Sequence, residues 1–224
     1  MKRSLLILFL SAITFGVSAQ DKEQKNSSFL MFVHGGYAYS PNKEGKGLTS
    51  YSADYAKKMS SGACWNLQLF YRYKKFVVGM MYSGFASSGK LEIPSVDVSS
   101  RKNFTNSDKL LTTYIAPQFG MHIPAGESFV IDWTAGFGGM VYRNNSIAYE
   151  QPRVVKGSNL GINLNAKVIY KFTEHFGLSA EIMAIWAGLR RSHVNYNEDD
   201  IKVVYFPKLP VNQYTFSLGL TYSL

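Results

Sequence analysis

The chain has 224 residues, a formal net charge of +9 (+7 without Lys2 and Arg3), 15% aromatic residues, only 17% charged residues and one cysteine. A single cysteine excludes an intrachain disulfide framework. After the first twenty residues there is no apolar run long enough for a membrane-spanning helix, which needs about 20 residues. The mean hydropathy of −0.09 reflects apolar and polar residues interleaved along the chain, a pattern that hides membrane strands from a hydropathy average.

Residues 1–19 are the expected signal peptide. Lys2 and Arg3 give a positive start, Leu5 to Phe15 is a short apolar run, and Val17-Ser18-Ala19 is a small-x-small cleavage site. Cleavage after Ala19 leaves residues 20–28 as a polar periplasmic N-terminal spacer and 29–224 as the folded domain. Cys64 lies far from this site, which argues against a lipoprotein-type acylation signal.

Segments of period-two alternation then recur. Strands are predicted at Phe29–Ser40, Ala63–Tyr73, Phe76–Ser87, Lys109–His122, Phe129–Tyr142, Asn159–Phe172, Phe176–Leu189 and Gln213–Ser223. No segment after the signal peptide shows sustained helical periodicity. Connections at Lys74-Lys75, 123–128 and 173–175 are tight, whereas 41–62, 88–108, 143–158 and 190–212 are long and polar. This sorting predicts an all-β, eight-stranded antiparallel up-and-down transmembrane β-barrel. Its short turns and both termini would be periplasmic and its long loops extracellular.

The faces follow from the period of two. In the sixth strand Leu160, Ile162, Leu164, Ala166, Val168, Tyr170 and Phe172 oppose Gly161, Asn163, Asn165, Lys167 and Lys171. In the eighth, Tyr214, Phe216, Leu218, Leu220 and Tyr222 oppose Thr215, Ser217, Gly219 and Thr221. The second, fifth and seventh strands divide similarly; the first, third and fourth are less clean. Tyr73, Phe76, Phe129, Phe172, Phe176 and Tyr222 flank the short turns or the C-terminal end. Trp65, Tyr82, Trp186 and Tyr214 lie toward the long loops. Two aromatic rings with aliphatic residues between them describe the interfacial girdle of a membrane barrel. The same bulk turned inward, as in a lipocalin-like barrel, would overfill eight strands.

The inward face is expected to carry Arg72, Gln118, Asp132, Lys167, Lys171 and Glu181 among Gly, Ser, Thr and Asn. If Phe172 pairs with Phe176 across the turn at 173–175, Lys167 stands opposite Glu181. The Lys74-Lys75 hairpin similarly pairs Tyr73 with Phe76 and turns Arg72 inward beside Val77. A polar, ion-paired network that closes the lumen is favoured over a proton path, a gate or a catalytic cluster. Eight strands leave no room for a solute channel, so a general porin is disfavoured.

The alternating segments, the sorted loops and the terminal strand Gln213–Leu224 resemble the small outer-membrane β-barrel family of OmpA/OmpX type. The Ser18-Ala19-Gln20 junction and the aromatic-rich strands are most similar to its Bacteroidota members. The resemblance covers essentially the whole mature chain and rests on pattern, not on a diagnostic motif. It implies a Gram-negative outer membrane, contact with outer-membrane lipid and lipopolysaccharide, and insertion by the β-barrel assembly machinery. The family usually ends in an aromatic residue; here Leu224 is last and Tyr222 stands two before it. No peptidoglycan-binding domain is expected after the barrel.

For function, a non-enzymatic role in envelope structure or in surface-loop binding and adhesion is preferred. A lipid A-modifying, deacylase-like enzyme is the main rival and a small-solute channel the third reading. Ser192-His193, followed by Glu198, Asp199 and Asp200, is the local candidate for chemistry, but adjacent side chains point apart on extended chain. His34 and His122 are read as rim or lumen residues, not a metal pair. Gly136-Phe137-Gly138-Gly139 lacks the strand-to-helix turn of a dinucleotide fingerprint. No catalytic residue, metal or cofactor is assigned. The basic balance is assigned to solvated loops and to anionic headgroups, not to nucleic acid. Tyr51, Tyr55, Lys57, Lys58, Arg190, Arg191, Tyr196 and Tyr205 are the loop residues suited to an unknown surface ligand. Ile201 to Phe206 alternates again and suggests that the last strand extends above the membrane.

Overall fold

A strand with apolar residues at one parity and polar residues at the other suits two different surroundings, one on each side of a sheet. The computed structural model describes residues 27–41, 50–93, 104–148, 151–196 and 199–224. The expected signal peptide and most of the spacer lie outside them. The strands are β1 (Ser27–Tyr39), β2 (Ser61–Tyr73), β3 (Phe76–Ile93), β4 (Phe104–Pro124), β5 (Phe129–Ala148), β6 (Gln151–Lys171), β7 (Phe176–Tyr196), β8 (Asp199–Pro210) and β9 (Gln213–Ser223). Helix α1 (Ser50–Ser60) separates β1 from β2.

All nine strands form one antiparallel sheet in the order β6-β5-β4-β3-β2-β1-β9-β7-β8, and β6 also pairs with β7. The eight-stranded architecture expected from the sequence is therefore corrected to a nine-stranded antiparallel sheet. The added strand, β8, occupies the expected last loop and pairs with β7 from Tyr196↔Asp199 to Gly188↔Pro210. The alternating stretch Ile201–Phe206 belongs to this strand and does not prolong β9. After β8, Val211 N donates to Ala187 O at 3.0 Å and the chain turns into β9.

Three further loop assignments are corrected. A β-ladder is made by backbone groups, so polar residues continue it into water without an apolar face. Thus β5 and β6 run on to Ala148↔Gln151, and β3 and β4 to Ile93↔Phe104. The expected loop 41–62 contains α1, whose last turn carries Lys57 and Lys58, cations placed favourably at the negative end of a helix.

The tight turns hold the register. Lys74 adopts φ +55°, and positive φ matches a two-residue turn to the twist of its strands; Tyr73 pairs with Phe76 and Arg72 with Val77. At the β6–β7 turn Thr173 Oγ1 accepts from Phe176 N at 2.8 Å. From there the ladder runs Lys171↔Gly177 to Lys167↔Glu181 and beyond.

Burial inverts the arrangement of a water-soluble fold. On β9, Phe216 and Leu218 are 55% and 59% exposed while Ser217 between them is 0% exposed. Leu160, Ile162 and Leu164 on β6, and Trp133, Phe137 and Val141 on β5, are likewise exposed. Asn163, Asn165, Asp132 and Thr134 are buried. The buried face is not uniformly polar. Leu30, Phe32, Phe70, Val77, Val130 and Ile169 cluster toward the tight turns. Met81, Tyr114, Met140, Met183, Ile185 and Leu189 form a second cluster. Ala38, Met59, Cys64, Phe85 and Leu110 form a third, beneath α1. These inward Phe, Met and Tyr side chains explain why β1, β3 and β4 show no clean alternation. No described helix is long and apolar enough to cross a membrane.

An exposed apolar face of this extent requires lipid. Leu218, midway between Tyr214 and Tyr222, is expected to tolerate charge poorly: Leu218→Arg costs about 2–4 kcal/mol at a bilayer midplane. Denaturant titration of protein inserted in vesicles measures it, and an effect near zero would contradict a lipid-facing position.

Candidate functional site

Four titratable residues share one rung of the buried face. His122 on β4 faces Asp132 on β5, Asp132 faces Lys167 on β6, and Lys167 faces Glu181 on β7. Along it Lys167 stands between the carboxylates of Asp132 and Glu181, the favourable arrangement of opposite charges across a ladder. His122 Nδ1 lies 2.7 Å from Asp132 Oδ1 and Lys167 Nζ lies 3.7 Å from Glu181 Oε2.

The Lys167–Glu181 pair is also held from the opposite wall. Asn66 Nδ2 and Gln68 Nε2 on β2 each donate to a Glu181 oxygen at 2.6 Å. Gln68 Oε1 accepts from Lys167 Nζ. Ser217 Oγ donates to Glu181 Oε1 at 3.5 Å. The ammonium lies over the rings of Phe32 and Phe70, 3.9 and 4.8 Å from their centroids, where the negative ring face attracts a cation. A buried charge is tolerated when it is paired and hydrogen-bonded, and both conditions hold here.

The other candidate interior residues separate from this centre. Gln118 Nε2 donates to Asn163 Oδ1 at 2.8 Å, and Tyr114 Oη donates to the same oxygen at 3.1 Å. Arg72 and Lys171 are half-buried toward the tight turns. Among the aromatic candidates Trp65, Tyr73, Phe76, Phe129, Phe172, Phe176 and Tyr214 are exposed, and Trp186 and Tyr222 half-buried. Sequence parity already turns Asn66 and Gln68 inward. Their contact with Glu181 has no sequence signal, since it spans strands that are not neighbours.

A serine, a histidine and a carboxylate also meet inside. His34 Nε2 and Ser179 Oγ share a 2.7 Å hydrogen bond, and His34 Nδ1 is 3.9 Å from Glu181 Oε2. Ser179 is 4% exposed and further tied to Thr221 at 3.1 Å, and Glu181 is 0% exposed with its oxygens committed to Asn66 and Gln68. A nucleophile must reach its substrate; this one is sealed. Ser192 is buried whereas His193 is exposed, so that pair points apart. Glu198 lies outside the described residues. Among the described residues no group of three or more His, Cys, Asp or Glu is placed to hold a metal.

The long-connection end is covered by α1. Tyr55 Oη donates to Asp108 Oδ2, and Asn144 Nδ2 donates to Asp108 Oδ1 at 2.7 Å. Ser87 Oγ donates to Met59 O at 2.9 Å, and Ser40 N to Ser60 O at 2.6 Å. Tyr55, expected in a ligand-facing loop, therefore points inward, while Lys57 and Lys58 remain exposed.

A buried polar centre inside a sheet with an apolar outer face is the inside-out construction of a membrane barrel. The family model for the outer membrane protein beta-barrel domain matches residues 7–223. The chain belongs to this family. It is an outer-membrane protein of the cell envelope. Solved structures share the fold. A major outer membrane protein from Thermus thermophilus superposes with a TM-score of 0.58 at 10% identity, covering 88% of this chain and 99% of that one. Neisserial surface protein A gives 0.52 at 13% identity, covering 89% and 100%. No curated protein matches significantly.

The buried pair is expected to be strongly coupled. Lys167→Met or Glu181→Gln alone should destabilise the folded protein by about 3–5 kcal/mol, because each leaves its partner sealed and uncompensated. The double variant should lose less than the sum. The midpoint of the heat-induced gel-mobility shift provides the measurement.

Proposed function

We propose that this family member acts non-enzymatically, as a rigid envelope protein of OmpA/OmpX kind whose filled interior carries exposed structure at one end for binding or adhesion. The observation that carries the reading is the sealed Lys167 ammonium, held between Glu181, Gln68 and two aromatic rings across the interior. The apolar clusters above and below it, and α1 over the long-connection end, leave the interior occupied by side chains. In this reading residues 1–19 are removed on export, the assembly machinery inserts the domain, and both termini face the periplasm. The rung His122–Asp132–Lys167–Glu181 is a closing polar network, and Trp65, Tyr73, Phe76, Phe129, Phe172, Phe176, Trp186, Tyr214 and Tyr222 mark the two interfaces.

Protein reconstituted in planar bilayers is expected to be silent, and discrete current steps would overturn the filled interior. Orientation is tested separately with single cysteines in a Cys64→Ala background. Asp54→Cys on α1 is expected to react with a membrane-impermeant maleimide on intact cells, and Glu127→Cys in a tight connection only after lysis. The opposite pattern would reverse the orientation.

A further inference from the structure

On the outer face of β5 the row Phe129, Ile131, Trp133, Ala135, Phe137, Gly139 and Val141 is uncharged, and the next outward position is Arg143. At the usual strand rise and tilt, Phe129 to Val141 climbs about 30 Å, enough to cross the apolar band of about 25 Å. Arg143 therefore stands just beyond the hydrocarbon, at the level of the lipid headgroups and on the lipid-facing parity. Directly opposite it on β6 is Lys156. Both side chains are exposed. Like charges directly opposite each other on a ladder are destabilising, so this pair is costly unless an anion lies between its members.

The surroundings fit an anion. Asn145, one step outward on β5, accepts a hydrogen bond from Arg143 Nε at 3.1 Å. Asn145 faces Lys109 on β4, a third exposed cation. Lys109 and Asn145 border a shallow recess of about 560 Å³ whose other walls include Gly62, Ala63, Ala86 and Ser88. The Arg143–Lys156 rung continues to His193 on β7 and Lys202 on β8, with Asp200 one step further out opposite Asn195.

We propose that Lys109, Arg143 and Lys156, with Asn145, form a binding site for the phosphorylated headgroup of a glycolipid in the surrounding leaflet. Arg143 presents a planar fork of donors suited to phosphate oxygens, Lys156 and Lys109 add point charges, and the small-residue recess admits the sugar. The occupant is lipid because these side chains lie on the lipid-facing parity at the edge of the apolar band. The site rests on the proposed orientation, which places this end in the outer leaflet.

The test is native mass spectrometry of the detergent-purified full protein with diphosphorylated lipid A, which has no leaflet and so does not depend on orientation. Wild type is expected to retain the lipid, and R143Q/K156Q to bind about tenfold less, the scale of losing charge-assisted hydrogen bonds. K74Q/K75Q, at the tight-turn end, should bind as wild type, and R143K/K156R should retain most binding. Equal binding by R143Q/K156Q, equal binding of chemically dephosphorylated lipid A, or an equal loss in K74Q/K75Q would overturn the site. Equal retention of phosphatidylglycerol would overturn the glycolipid as occupant. Heat-modifiable migration verifies folding; should R143Q/K156Q not fold, K109Q is read against the same criteria. Reversed maleimide labelling with these binding results intact would refute the orientation alone.

Discussion

Lys167 carries a full ammonium group to a place that water does not reach, and the protein supplies everything that water would have given it. Glu181 neutralises the charge from the neighbouring strand. Gln68 accepts one of its protons while donating to Glu181, and the faces of Phe32 and Phe70 occupy the remaining side. These partners come from β1, β2 and β7 while Lys167 itself is on β6, so one ion pair ties opposite walls of the interior together. A one-residue slip between β6 and β7 would turn one of the two charges onto the outer face and leave the other sealed without its partner, which gives the register a strong energetic reason. Ser217 donates to the same carboxylate, and His34, itself hydrogen-bonded to Ser179, stands beside it.

The outer face follows the opposite requirement. Leu, Ile, Phe and Val side chains that stand half exposed on β5, β6, β7 and β9 have no protein to cover them. A membrane removes that cost, since lipid is as apolar as the side chains it meets. The backbone has no such freedom, and every membrane strand must find its hydrogen bonds within the sheet. The pairings from β1 round to β9, together with β6 on β7, give the spanning strands a neighbour on each edge. β8 has one neighbour among the described residues, β7, and joins it where β7 has run past the end of the apolar band.

The long-connection end obeys neither rule. Its ribbons mix polar residues with scattered apolar ones such as Ile147, Val155 and Val194, and α1 is an eleven-residue helix, too short to be stable alone in water. Docking makes it a helix: Tyr55 and Met59, four residues apart on one side, reach Asp108 and the cluster of Ala38, Cys64, Phe85 and Leu110. Tyr55 and Met59 make a single helical spacing, too short a pattern to register as a period, so the segment reads as a loop.

Much of the fold was legible in the chain itself because the membrane strands alternate so regularly. Parity alone turned Asp132, Asn163, Asn165, Lys167, Glu181 and Ser217 to one side and Trp133, Leu164, Ile182 and Leu218 to the other. The length of the 173–175 turn was enough to oppose Lys167 to Glu181. Tertiary structure decided what no local pattern encodes. Asn66, Gln68, His34 and the rings of Phe32 and Phe70 converge on that pair through space, across strands distant in sequence. The ninth strand and α1 are likewise stabilised by their partners and not by their own composition. Backbone ladders and docking contacts are indifferent to the apolar period from which a sequence is read.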